Sequence, residues 1–137
     1  MLKIGILGAG HLGKIHLKLA NQSDKYELVG FYDPNAENAK KVENEFGYKS
    51  FDTISELIQE VDVVDIVTPT LSHYECAKEA ILAGKHIFLE KPIANSVEEA
   101  EEIIELAKQY NVQGQVGHVE RFNPAFKSVK DKIQNPM

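Results

Sequence analysis

Three glycines spaced as Gly8-Ala9-Gly10-His11-Leu12-Gly13 follow a short apolar run and precede a helical one. That spacing fits G-x-G-x-x-G, whose chemistry is anion binding by bare backbone. Gly8 permits a tight turn, Gly10 has no Cβ to block a pyrophosphate, and Gly13 lets the helix lie close on the strand. The free N–H groups at the helix start, in the His11-Leu12 region, face the phosphates. Asp33 stands twenty positions beyond Gly13 and directly before Pro34. A carboxylate there accepts both ribose hydroxyls of NAD and repels the 2′-phosphate of NADP. No Lys or Arg follows until Lys40. The structural alternatives are a plain strand–helix turn for the glycines and a turn acid for Asp33. In this order and context the two features together predict NAD(H) rather than NADP(H). An S-adenosylmethionine methyltransferase uses a similar loop and acid, and it is the rival on these two features alone.

Three later segments also carry reactive side chains: Thr68-Pro69-Thr70-Leu71-Ser72-His73, Glu90-Lys91-Pro92, and Gly117-His118-Val119-Glu120-Arg121-Phe122-Asn123-Pro124. Each follows an apolar run that reads as a strand. Open α/β sheets bind ligands at the carboxyl ends of their strands, so all three converge on one crevice beside the first loop.

The elements that position these segments alternate along the whole chain. Strands are expected at Leu2 to Leu7, Glu27 to Tyr32, Val61 to Val67, Lys85 to Leu89 and Val112 to Val116, with a short extended piece from Tyr48 to Phe51. The β-branched run from Val61 reads as a central parallel strand. Helical spacing runs from His11 to Asn21, with Leu12, Ile15, Leu19 and Ala20 on the inner side. Asn35 can cap a helix that ends at Phe46, with Gly47 in the left-handed position beyond it. Asp52 or Thr53 starts a brief helix through Ile58, and Ser72 can cap one from His73 to Ala83, closed by Gly84. Ser96 and Glu99 form a capping box before an acidic helix start, and Asn123-Pro124 opens a final helix. Repeated β-α-β units of this kind give a doubly wound parallel sheet, three-layered α/β/α, of the Rossmann dinucleotide-binding type.

Composition bounds the function. A chain of 137 residues, 43% hydrophobic and 26% charged, suits one globular core. The net charge of −6 and the scattered basic residues argue against nucleic acid or an anionic membrane as partner. No apolar run approaches the ~20 residues that cross a bilayer, and the N-terminus has no signal-peptide pattern, so a cytoplasmic location is expected. Cys76 is the single cysteine, which rules out an intrachain disulfide. Five histidines offer no convincing pair of ligand positions with a third nearby, so no metal site is expected. His16 reads as a surface residue, His86 as a packed strand side chain, and His11 as a backbone N–H donor.

Taken together, the glycine loop, Asp33-Pro34, Thr68-Pro69 with His73, Glu90-Lys91-Pro92 and Arg121-Phe122-Asn123-Pro124 resemble the Gfo/Idh/MocA oxidoreductases. Five motifs match in order over nearly the whole chain, and Glu-Lys-Pro is the most diagnostic. The resemblance implies a dehydrogenase that moves hydride between a sugar, nucleotide-sugar or cyclitol hydroxyl and a nicotinamide cofactor. It places Thr68, Pro69, Thr70 and His73 along the cofactor, Glu90 beside the nicotinamide, Lys91 at the reacting hydroxyl as the catalytic residue, and Pro92 as a backbone fix. Arg121 approaches the substrate or its phosphates, for which a guanidinium is well shaped. The alternatives remain a solvated strand-end lysine for Lys91, a loop hydrogen bond for His73, a structural place for His118, and an ion pair with Glu120 or another acid for Arg121.

The same resemblance implies a second α/β domain, which holds the family's usual histidine acid/base and often the oligomer interface. Residues 1–118 are then the dinucleotide-binding domain, and 119–137 the connecting segment and first helix toward a substrate domain. The chain reads as a fragment of a longer, homo-oligomeric protein. A stand-alone NAD(H)-binding or redox-sensing module is the alternative from a different class. The wording from Gly117 to Ala125 is similar to family members that oxidise nucleotide-linked amino sugars at the 3-hydroxyl.

Overall fold

β1 (Leu2–Leu7) is buried along its last four residues, as a strand covered on both faces must be. In a computed structural model, which describes residues 1–90 and 93–116, this strand lies inside the sheet between two others. It is followed by α1 (His11–Gln22), β2 (Tyr26–Tyr32), α2 (Ala36–Phe46), α3 (Ile54–Gln59), β3 (Val63–Ile66), α4 (Thr70–Leu82), β4 (His86–Leu89), α5 (Val97–Gln109) and β5 (Gly114–Val116). All pairings are parallel, and the strand order is β2-β1-β3-β4-β5. The order reverses between β1 and β3, so the topological switch point lies at their carboxyl ends.

Register aligns those ends closely. Leu7 pairs with Tyr32 on one side and Ile66 on the other, Ile66 pairs with Leu89, and Leu89 pairs with Val116. The next residue along each strand is therefore Gly8, Asp33, Val67 or Glu90, all on one edge. Pairing alone thus brings the starts of the Thr68 and Glu90 segments to the first loop, while the segment from Gly117 lies outside the described residues.

Alternation across the pleat divides the core in two. Leu7, Val64, Ile66, Ile87 and Leu89 pack with Leu57, Ile58, Ala77, Ile81 and Ile103, under α3, α4 and α5. Ile4, Ile6, Phe31, Val63 and Phe88 pack with Leu17, Ala20, Ala39 and Val42, under α1 and α2. The three-layer arrangement is the expected one.

The caps mostly fall where the sequence puts them. Asn35 accepts from Asn38 N, Thr53 rather than Asp52 accepts from Glu56 N, and Ser96 accepts from Glu99 N. Gly47 takes the left-handed conformation at φ 79°. The extended piece near Phe51 makes one parallel bridge, Phe31 to Ser50.

Two expectations need correction. Ser72 does not cap α4, which begins two residues earlier behind Pro69. Ser72 N already donates to Pro69 O at 2.8 Å inside the first turn. A proline is cheap there because the first N–H groups of a helix have no partner within it.

The inner face of α1 is also rotated from the expected one. Gly13, His16, Leu17 and Ala20 are buried, while Leu12 and Ile15 are 39% and 36% exposed. The cause is Gly13, where a Cβ would lie 2.0 Å from Gly8 O. That contact presses position 13 onto β1, and positions 16, 17 and 20 follow it on the same helical face. The expected surface residue His16 is therefore fully buried. The helix expected from Asn123-Pro124 lies outside the described residues.

Candidate functional site

The first loop is shaped by what glycine lacks. Gly8 adopts φ +99°, and a Cβ there would meet Val67 O at 2.8 Å. Gly8 N donates to Tyr32 O at 2.8 Å, joining the loop to the end of β2. Gly13 seats α1 on Gly8, as described. Gly10 differs from both: a Cβ built on it meets nothing within 4 Å. Its position is the N-cap of α1, where no side chain caps the helix and no acid occupies the first turn. The loop thus presents a bare helix N-terminus, with open space at Gly10 and the first N–H groups, near His11, Leu12 and Gly13, unpartnered within the helix. That fits a dinucleotide pyrophosphate, which needs donors, a positive dipole end and room.

Asp33 sits half-buried beside this loop. Its Oδ2 accepts from Ala9 N at 3.1 Å and from Asn38 Nδ2 at 2.8 Å, and its Oδ1 accepts from Asn35 N at 2.8 Å. The turn role weighed for this residue is therefore made, and the carboxylate also faces the loop. A carboxylate offers about four acceptor positions, so capacity remains for a ribose hydroxyl. Asn38 is a participant the sequence reading missed. Its amide also donates to Ala9 O at 2.9 Å, so one side chain ties the acid to the loop. The signal was its place three residues after the capping Asn35. A depression beside Asp33 is lined by Tyr32, Pro34, Ala36, Lys40 and Phe51 among others.

At the end of β3, Thr68 and Thr70 are half-buried and Pro69 is exposed. His73 is buried, and its Nε2 lies 2.9 Å from Thr68 O. The loop hydrogen bond weighed for His73 is therefore made. At the end of β4, the Glu90 side chain is 13% exposed and lies 3.0 Å from His16 Nε2. On the far side of that ring, His16 Nδ1 is 2.5 Å from Asp65 Oδ2, and Asp65 is fully buried within β3. His16 and Asp65 are further residues that sequence reading missed at the site. The available signal was Asp65 itself, a carboxylate inside a β-branched central strand, which needs a buried partner.

Lys91, Pro92, His118 and Arg121 lie outside the described residues. Elsewhere, His86 Nδ1 accepts from Gln113 N at 2.9 Å, consistent with a packed strand residue. Burial pushes the Cys76 thiol pKa up, with a hydrogen bond to Thr68 opposing the shift, so this side chain behaves as a small core residue. Among the described residues no three His, Cys, Asp or Glu side chains form a metal-holding group, and no helix is long and apolar enough to cross a membrane.

Comparison with known proteins places this geometry. The family model described as the Gfo/Idh/MocA oxidoreductase family, NAD-binding Rossmann fold, matches residues 2–118. The chain is 36% identical over 133 residues to UDP-N-acetylglucosamine 3-dehydrogenase of Acidithiobacillus ferrooxidans, covering 94% of this chain and 41% of that protein. A solved structure of that enzyme superposes with a TM-score of 0.80 over 96% of this chain and 43% of its own. The NAD(+)-dependent scyllo-inositol 2-dehydrogenase of Bacillus subtilis is 35% identical over 136 residues, covering 96% of this chain and 40% of the enzyme. The chain thus spans about two fifths of the length of these relatives. The oxidoreductase match displaces the methyltransferase alternative.

Proposed function

This chain belongs to the Gfo/Idh/MocA oxidoreductases as their NAD-binding Rossmann domain, and on that footing we propose that it is the cofactor half of a sugar, nucleotide-sugar or cyclitol dehydrogenase. The observation that carries the reading is the contrast among the three loop glycines. Two are packed against backbone, while the third opens on free space at a bare helix end. In this reading the α1 N-terminus holds the pyrophosphate and Asp33 accepts an adenosine ribose hydroxyl. Thr68, Pro69, Thr70 and His73 border the cofactor along the end of β3. Glu90 borders the nicotinamide, Lys91 polarises the reacting hydroxyl, Pro92 fixes the backbone beside it, and Arg121 meets the substrate or its phosphates.

Bound NAD supplies the acceptor for hydride at C4 of its ring. The chain's own work is orientation and charge. The Lys91 ammonium stabilises alkoxide character on the substrate oxygen as the hydride departs. Residues 1–118 form the dinucleotide-binding domain, and 119–137 lead toward a substrate domain and a homo-oligomeric assembly. The substrate class rests on relatives that are dehydrogenases of UDP-N-acetylglucosamine and scyllo-inositol.

Calorimetric titration of this chain with NADH and NADPH, with Asp33→Ala in parallel, tests the reading. The expected result is NADH binding in preference to NADPH, with the preference lost or relaxed in the variant. Binding of neither by a folded protein, or NADPH preferred by the unaltered chain, would overturn it.

A further inference from the structure

The buried imidazole of α1 has no part in the cofactor contacts assigned above. His16 lies between two carboxylates that arrive from different strands. Its Nδ1 is 2.5 Å from Asp65 Oδ2 and its Nε2 is 3.0 Å from Glu90 Oε1. Pleat and register explain the meeting. Asp65 pairs with Phe88, so Asp65, Phe88 and Glu90 share the sheet face that α1 covers. Gly13 then turns position 16 of α1 onto that face.

The Nδ1 contact is a hydrogen bond to Asp65, and the Nε2 contact sets Glu90 Oε1 at ion-pair distance. The Asp65 contact fixes the ring, and the ring faces the Glu90 carboxyl. The three groups join the pyrophosphate-binding helix, the central strand and the strand end that precedes Lys91. Apolar side chains of similar volume would fill this space without burying charge, so packing alone does not call for these residue types.

We propose that His16, anchored by Asp65, is a positioning residue that sets the Glu90 carboxyl and through it the nicotinamide end of the bound dinucleotide. The inference rests on the dinucleotide reading above and adds to it a residue that touches neither cofactor nor substrate.

The test has two arms on the intact chain. Without cofactor, long-range ¹H–¹⁵N spectra follow the imidazole nitrogens. Glu90→Gln is expected to move the His16 Nε2 resonance while Nδ1 keeps its Asp65 signature. An unmoved Nε2 would overturn the coupling. With NAD⁺ added, saturation-transfer spectra follow the adenine and nicotinamide ring protons separately. In His16→Asn, which keeps a donor toward Asp65, the nicotinamide signals are expected to fall away while the adenine signals persist.

Overall NAD⁺ affinity should drop by no more than roughly tenfold, about 1.4 kcal/mol. His16→Asn combined with Glu90→Gln should be no worse than either alone, since the two act through one contact. Intact nicotinamide signals in a folded His16→Asn variant would contradict the proposal, as would parallel loss at both ends. If His16→Asn fails to fold, Glu90→Gln carries the same two spectra. Failure of the unaltered chain to bind NAD⁺ would instead overturn the dinucleotide reading, and the cofactor-free arm would still decide whether His16 governs Glu90.

Discussion

The two halves of the crevice are built from different materials. On the β2-β1 side the groups facing the site are mostly backbone, with the Asp33 carboxylate beside them: the turn at Gly8, open space at Gly10, and the N–H groups of the first turn of α1. On the β3-β4 side they are buried side chains, with His73 on Thr68 O and His16 between Asp65 and Glu90. A backbone site depends on close approach, so a single added methyl group can destroy it or leave it untouched according to where it points. A side-chain site depends on completed polar pairs, so removing one partner exposes the cost of the other. The two halves should therefore fail in different ways.

The largest effect is expected at Gly13→Ala. Its Cβ would sit 2.0 Å from a main-chain oxygen that cannot swing aside. Unfolding free energy should fall by about 4 kcal/mol or more, enough to threaten a marginal domain, as read by urea denaturation. A variant of near-normal stability would show that α1 does not bear on Gly8. On the other half, Asp65→Ala removes one partner of a fully buried pair and should cost about 3 kcal/mol by the same measurement. A loss below about 1 kcal/mol would mean that the pair contributes no more than an exposed one.

Asn38→Ala sharpens the comparison at the link between loop and acid. Two hydrogen bonds of the Asn38 amide are lost, so about 1 kcal/mol of stability should go. NADH affinity should weaken alongside, because Asp33 loses a partner that aims it. Unchanged affinity in calorimetry would separate Asn38 from the site.

The smallest effect belongs away from both halves, between α4 and α5. There Tyr74 donates to Glu102 and accepts from Lys78. The hydrogen bond to Glu102 raises the phenol pKa, burial adds to the rise, and Lys78 opposes it. A raised folded-state value means that the contribution is present below the usual phenol pKa of about 10 and is lost as pH climbs through the folded value. Tyr74→Phe should lower the neutral-pH melting temperature only slightly, because the lost hydrogen bond is an exposed one, and should reduce the alkaline loss of stability. A large drop at neutral pH, or an unchanged alkaline loss, would contradict this account of the Tyr74 hydroxyl.

The backbone half was legible in the sequence because glycine spacing, a following helix and a distant acid are local patterns with one geometric meaning. β-branched runs and caps at Asn35 and Ser96 fixed the strands and helices around it for the same reason. The side-chain half was legible only in its positions. Helical periodicity alone put Leu12 and Ile15 inward, because apolar residues dominate such patterns. The phase of α1 is set instead by one contact, Gly13 on Gly8, between a strand end and a helix. Once position 13 faces the strand, His16 must be buried, and Asp65 is the partner that makes its burial tolerable. Neither residue alone announces this, since the pairing spans 49 positions and two elements.

Gly10→Ala tests the dinucleotide site most directly. Its Cβ has nothing of the protein within 4 Å, so the variant should fold and melt as the unaltered chain does. NADH titration by calorimetry should nevertheless show binding reduced at least roughly tenfold, the equivalent of about 1.4 kcal/mol, because the methyl group occupies space that the pyrophosphate needs. Full NADH affinity in a normally folded Gly10→Ala protein would contradict the placement of the pyrophosphate at this loop.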